Sequence, residues 1–339
     1  MAINHEEPDR VPVCATYVPE IESALREKYP VSGDLGVALG NDMVKIASGL
    51  ENSFYMSEDD EYICRYGITW RNIRIPNGRY TEIKKHPLAG DPSKIYEYEL
   101  PGMEQDVLEK VKTAIRDYGA DKWIIGSCQC SVFEAAWYLR GMETLMMDLA
   151  MEEEYVDVLF DKLMAYPLEI GLRFIDLGVD MVWLGDDVGT QSRMMISPAM
   201  WRRYLKPRYA EMFAAFKARN PNIKLCYHTC GNILPIVGEL IEIGLDVLNP
   251  IQPLAMEPVK FKQQFGKDIT MYGAFDIQKI LPRGSADDIR AEVKRLVEGC
   301  APGGGFILSP AHHIQSDTPI ANIEAFYAAA KEYGDYPVL

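Results

Sequence analysis

The chain predicts an α/β protein of the (β/α)8 TIM-type barrel class, with an N-terminal extension covering part of the barrel. Three observations predict it. From about Val107 onward, long amphipathic helical stretches alternate with short apolar runs. Residues able to do chemistry gather directly after these runs, at the C-terminal strand ends where barrel enzymes build their active sites. Neither a GxGxxG after the first strand nor a GxxxxGK followed by Ser or Thr occurs, so dinucleotide and P-loop readings lack support.

Residues 1–105 read as an irregular N-terminal part. They offer a short strand at 11–16, a helix at Pro19–Lys28 and an alternating hairpin at 62–75 that would decorate or close the barrel. Residues 106–339 carry the regular units. The strand candidates are 122–127, 180–186, Lys224–His228, 247–250, 269–273 and 305–309, each an apolar run suited to burial on both faces of a parallel sheet. Helices at 198–218, 234–243 and 287–300 separate them, the first opening with Ser197 as N-cap and Pro198 at the first helical position. No repeat, low-complexity tract or long Pro/Gly/Ser linker divides the 339 residues, so a single domain is expected.

Hydrophobic residues make up 48% and charged residues 25%, an ordinary globular composition with enough apolar surface for a large core. The formal net charge of -15 lacks the basic footprint that attracts nucleic acid or anionic lipid. No basic start leads into an apolar segment, and no unbroken run of about 18 apolar residues occurs, so neither export nor membrane spanning is expected. Seven cysteines, an odd number in a core-rich chain, suit reduced thiols in a cytoplasmic setting.

Of the five histidines, His228, His312 and His313 follow strand candidates, and His228 stands two residues before Cys230. Residues two apart on a strand point to one side about 6.6 Å apart. A slight turn after the strand would bring both onto one ion, and Cys226 shares their face if the strand persists. Zinc favours mixed thiolate and imidazole donors, with three protein ligands and one open position in catalytic sites. Gly231 permits the turn. The competing reading of this spacing is a core histidine beside a buried thiol. Asp186 and Asp187, after another strand, could supply a metal ligand, a general acid, an anchor behind His228, or a helix-capping or barrel-rim carboxylate. Cys128 and Cys130 end a further strand as candidate pocket wall. Tyr227 lies between the inward positions and is expected in the outer core. Met142, Met146, Met147 and Met151 fall at helical spacing, as core filling.

The segments YHTCGNILPIV, VLNPIQ, MYGAFDIQKIL and GGGFILSPAHHIQSDTPIANIEAF resemble the uroporphyrinogen decarboxylase superfamily, and within it the branch of cobalamin-dependent methyltransferases. The similarity is clearest over 180–333. The resemblance implies zinc held by His-x-Cys and by a distant cysteine in a segment like LxPGCGIxxxTPxxN. The matching stretch, 308–322, has His312 in place of that cysteine, so the implied ligands are His228, Cys230 and His312, with His313 the competitor for the third position. Gln252 and Asp276 resemble positions that line the pocket, and Cys128 joins them as a substrate-binding candidate.

The segment CATYVPEIESALREKYP lacks the arginines of the RQAGRYLPEY-like stretch that would hold porphyrinogen carboxylates, which disfavours decarboxylation. The implied activity is methyl transfer between a corrinoid (methylcobalamin) carried by a partner protein and a small methylated compound or thiol. A decarboxylase or a non-catalytic corrinoid- or metal-binding protein are the alternatives. Nucleic acid and membrane are not expected as partners.

Overall fold

The computed structural model describes residues 1–76 and 78–338. Seven parallel strands form one curled sheet: β1 (Met43–Ala47), β5 (Trp123–Ser127), β6 (Met181–Gly185), β7 (Lys224–His228), β8 (Val247–Ile251), β9 (Thr270–Phe275) and β10 (Phe306–Pro310), neighbours in that order. A separate antiparallel sheet holds β2 (Glu61–Ile63), β3 (Thr69–Ile75) and β4 (Gly78–Lys85). The six predicted strands are present within a residue or two of their expected ends.

Closure comes from the segment around Val13, which bridges β10 in parallel fashion. Cys14 N–H donates to Leu308 O (3.1 Å) and Leu308 N–H to Pro12 O (2.9 Å), while on the other side Asp42 N–H donates to Val13 O (2.8 Å). The Asn41 amide adds a bond in each direction to the Ala15 backbone, 2.9 and 2.8 Å long. This short segment is the eighth stave. It is the short strand expected at 11–16, and with β1, which was not expected, the N-terminal part holds two of the staves. The hairpin expected at 62–75 is β2 and β3, extended by the unforeseen β4.

One cluster of inward side chains draws on every stave: Cys14, Met43, Ile125, Met181 and Trp183, Cys226, Val247, Tyr272 and Ile307, with Ile3 added from the N-terminal turn. Strand alternation sends the intervening residues, such as Val44, Ile124, Val182, Leu184 and Tyr227, outward into the larger cluster shared with the helices. Helices Gln105–Tyr118, Phe133–Arg140, Glu154–Leu177, Pro258–Phe265, Ala286–Cys300 and Ile320–Tyr333 form that layer. The stretch 198–219 is helical throughout, with a π turn at Trp201–Leu205, and Ser197 Oγ caps it by accepting Met200 N–H at 3.1 Å. The small sheet packs through Trp70, whose ring lies 5.8 Å from Tyr138 on the helix after β5. Among the described residues no helix is long and apolar enough to cross a membrane.

Candidate metal centre

The site begins with β7. Cys226 and His228 point into the barrel, and Cys226 stays in the inner apolar cluster while His228 reaches the mouth. The strand ends there and the backbone turns: Thr229 N–H donates to Asn249 O (2.8 Å). Cys230 N–H donates to Asp187 Oδ1 (2.7 Å), and Gly231 N–H to Gln252 Oε1 (2.9 Å). Gly231 has φ +85°, and a Cβ there would meet the Gly189 carbonyl carbon at 2.6 Å, so the tight turn needs glycine on both counts. The turn leaves Cys230 Sγ 3.7 Å from His228 Nε2.

From the loop after β10, His312 joins them. Ligand atoms of His228, Cys230 and His312 all lie within 4.8 Å of one another. Donors bound tetrahedrally at about 2.0–2.3 Å stand roughly 3.5 Å apart, so modest side-chain movement closes the cluster on one ion. The donor set also suits a metal in its tautomer. Asn249 Oδ1 lies 2.6 Å from His228 Nδ1, which makes Nδ1 the protonated nitrogen and leaves the Nε2 lone pair facing Cys230. Burial holds the His228 imidazole below its usual pKa, and burial with the neighbouring His228 pushes His312 down to about 4, so both rings are neutral. Burial, then Asp187, raises the Cys230 thiol well above its usual value. Metal binding at this thiol must therefore expel a proton.

His313 turns elsewhere, lining an inner cavity with Nδ1 buried and without a hydrogen-bond partner. Gln252 and Asp276 line an outer pocket of about 240 Å3 together with Cys230 and His312. Asp276 Oδ1 also accepts the backbone N–H of Gln278 and Lys279, at 2.6 and 3.0 Å, which fixes its loop.

The two aspartates separate. Asp187 continues the inward parity of Met181, Trp183 and Gly185, and its Oδ1 lies 3.7 Å from His228 Nε2. Asp186 points outward and is fully buried. It accepts the backbone N–H groups of Val132 (3.0 Å) and Glu134 (2.9 Å) and the Tyr209 hydroxyl (2.6 Å). It thereby caps the helix Phe133–Arg140 from a neighbouring strand, away from both cavities. Burial lifts its pKa to about 6 in spite of these bonds. Its candidacy as a catalytic group is corrected accordingly. Cys128 is corrected for the same reason of parity. It is buried in the outer cluster, and the next residue, Gln129, is the one that lines the inner cavity.

Sequence reasoning assigned no role to Asn249, Lys45, Gln129 or Trp183. Asn249 stands at a strand end, a signal that was present; Lys45 was hidden because β1 was not recognised as a stave.

A family model for uroporphyrinogen decarboxylase (URO-D) matches residues 71–333. The chain belongs to the uroporphyrinogen decarboxylase family. Within this family it is similar to the methylcobamide:CoM methyltransferase MtaA of Methanosarcina barkeri, 25% identical over 237 residues, 67% of this chain and 63% of that protein. A methylcobamide:CoM methyltransferase MtbA of Methanosarcina acetivorans is 25% identical over 227 residues, with the same coverage, 67% and 63%. A uroporphyrinogen decarboxylase of Crocosphaera subtropica is 22% identical over 237 residues, 67% of this chain and 64% of that protein. The matched region thus spans less than two thirds of these relatives' own length. Among solved structures, a methyltransferase from Methanosarcina mazei superposes with TM-score 0.74 at 22% identity, covering 98% of this chain and 96% of that one. This likeness establishes the family's barrel fold.

Proposed function

We propose that this member of the uroporphyrinogen decarboxylase family is a zinc-dependent methyltransferase that moves a methyl group between a small molecule and a corrinoid carried by a partner protein. One observation carries the reading: His228, Cys230 and His312 converge at the barrel mouth beside an open pocket. The methylcobamide-specific relatives support the chemistry. A bound zinc ion supplies Lewis acidity, holding a substrate thiol as thiolate at neutral pH or polarising the leaving heteroatom of a methyl donor.

The chain's own residues do the rest. His228 and His312 offer neutral imidazoles and Cys230 a thiol that gives up its proton. Asn249 keeps the His228 lone pair aimed at the cluster, and Asp187 clamps the Cys230 backbone and is placed to serve as a fourth ligand. Gln252 and Asp276 orient the substrate in the outer pocket. That pocket, about 240 Å3, falls below the roughly 300–1,000 Å3 usual for drug-sized ligands. It suits a small substrate and not a tetrapyrrole, and Lys and Arg are absent from its lining, so porphyrinogen decarboxylation gains no support. All seven cysteines are unpaired, in keeping with a reducing cytoplasm.

Metal analysis of untagged protein tests the reading. About one zinc per chain is expected, falling to a small fraction in His228→Ala and Cys230→Ala, together with loss of methyl transfer between methylcobalamin and thiols. Full zinc content in His228→Ala would overturn it.

A further inference from the structure

On the inner side of the His228/His312 pair, inside the barrel, lies a second cavity of about 30 Å3. Its walls carry more hydrogen-bond donors than the protein satisfies. Trp183 is only 5% exposed, and its indole N–H, which can donate but never accept, has no partner. Lys45 Nζ sits 4.9 Å over the Trp183 ring, and among the described residues its single hydrogen bond goes to Glu51, at 2.5 Å, so two of its three N–H groups are free. Glu51 itself is occupied: Oε1 takes Lys45, while Oε2 accepts the Ser127 hydroxyl at 2.5 Å and Gln129 N–H at 3.4 Å. Thr16 and Gln129 add polar side chains to the same walls.

Resting on the methyltransferase reading, we infer that this chamber is a subsite for the carboxylate of the small substrate, whose methyl-exchanging heteroatom lies at His228, Cys230 and His312. The unpaired indole N–H and the two free ammonium N–H groups ask for acceptors, and among the described residues the buried atom without a partner that could accept on these walls is His313 Nδ1, one nitrogen against three N–H groups. Size narrows the class. A cavity of about 30 Å3 holds two to three water-sized atoms. The three heavy atoms of a carboxylate fill that space, and the four of a sulfonate exceed it by one. His228 and His312 line both the chamber and the metal cluster, so a few bonds separate the two ends of the ligand.

The test uses full-length protein loaded with cobalt(II) in place of zinc, where thiolate binding gives a charge-transfer absorption. Three thiols of equal chain length are titrated: 3-mercaptopropionate, 3-mercaptopropanamide and 2-mercaptoethanesulfonate. The carboxylate is expected to bind at least about tenfold tighter than the other two, because the amide leaves donors unpaired and the sulfonate is one heavy atom larger than the chamber holds. Trp183→Phe, which keeps the ring and removes the N–H, should reduce that preference several-fold. The double variant Lys45→Met/Glu51→Gln, which leaves neither charge buried alone, should abolish it. Equal affinities in the parent protein, or an unchanged preference in both variants, would overturn the subsite while the thiolate signal leaves the metal reading intact. Absence of any thiolate signal with bound cobalt would overturn both.

Discussion

Replacing Asp186 with alanine separates a structural carboxylate from a catalytic one. The substitution removes the acceptor of three buried donors: Val132 N–H, Glu134 N–H and the Tyr209 hydroxyl. At about 1–2 kcal/mol for each orphaned donor, the loss is on the order of 3–6 kcal/mol. This is a large share of a net stability of about 5–15 kcal/mol, and the fold stands where the parent's stability exceeds that loss. The loss also depends on pH. Folding raises the Asp186 pKa from 3.8 to about 6. Between those values the folded state binds the extra proton, and the wild-type group contributes stability that fades as pH rises through 6. The substitution should therefore cost about 1 kcal/mol more at pH 5 than at pH 7. Urea unfolding at both pH values reads this directly, with a midpoint shift of about 1–2 M if m is near 3 kcal/mol/M. Zinc per folded chain should stay at the wild-type level. A variant as stable as the parent but stripped of zinc would refute the capping role and return Asp186 to the metal site.

Two further outcomes follow from the same geometry. Zinc binding to the metal-free protein should release one proton per ion between about pH 6 and 8, from Cys230, since burial has already made His228 and His312 neutral. The apparent affinity then rises about tenfold per pH unit, measurable by calorimetry in buffers of different ionisation enthalpy, and a pH-independent affinity would contradict it. Asn249→Leu removes the acceptor that sets the His228 tautomer. It should weaken zinc binding about 10–100-fold in competition with a chromophoric chelator while the neighbouring strands stay paired; an unaltered affinity would show that the ring is oriented by other means.

Much of the architecture was legible because parallel strands buried on both faces leave unmistakable apolar runs. KLCYH, VLNPI and TMYGAF could hardly be anything else between amphipathic helices. The missed stave, β1, has a physical cause. MVKIA is brief and carries a lysine, which looks like a surface residue until the barrel encloses it beside Glu51. The short strand expected at 11–16 is the stave around Val13; its part in closing the barrel was not legible, because it pairs by isolated bridges and its bonds come partly from the Asn41 side chain.

The sequence by itself determined that His228 and Cys230 end one strand, that polar residues cluster at one end of the sheet, and that Gly231 allows the chain to turn. Only the tertiary structure decided between neighbours. At three strand ends adjacent residues take different places: Cys128 and Gln129, Asp186 and Asp187, and His312 and His313, of which only the last two were weighed against each other in the sequence. Gln129, Asp187 and His312 face the cavities and the cluster, while Cys128 and Asp186 serve the outer core. The reason is the two-residue period of a strand, in which a shift of one position moves a side chain to the opposite face. Composition and spacing carry no mark of that phase where the strand gives way to loop. It is set by the hydrogen-bond register with the neighbouring staves, and therefore by residues far away in the chain.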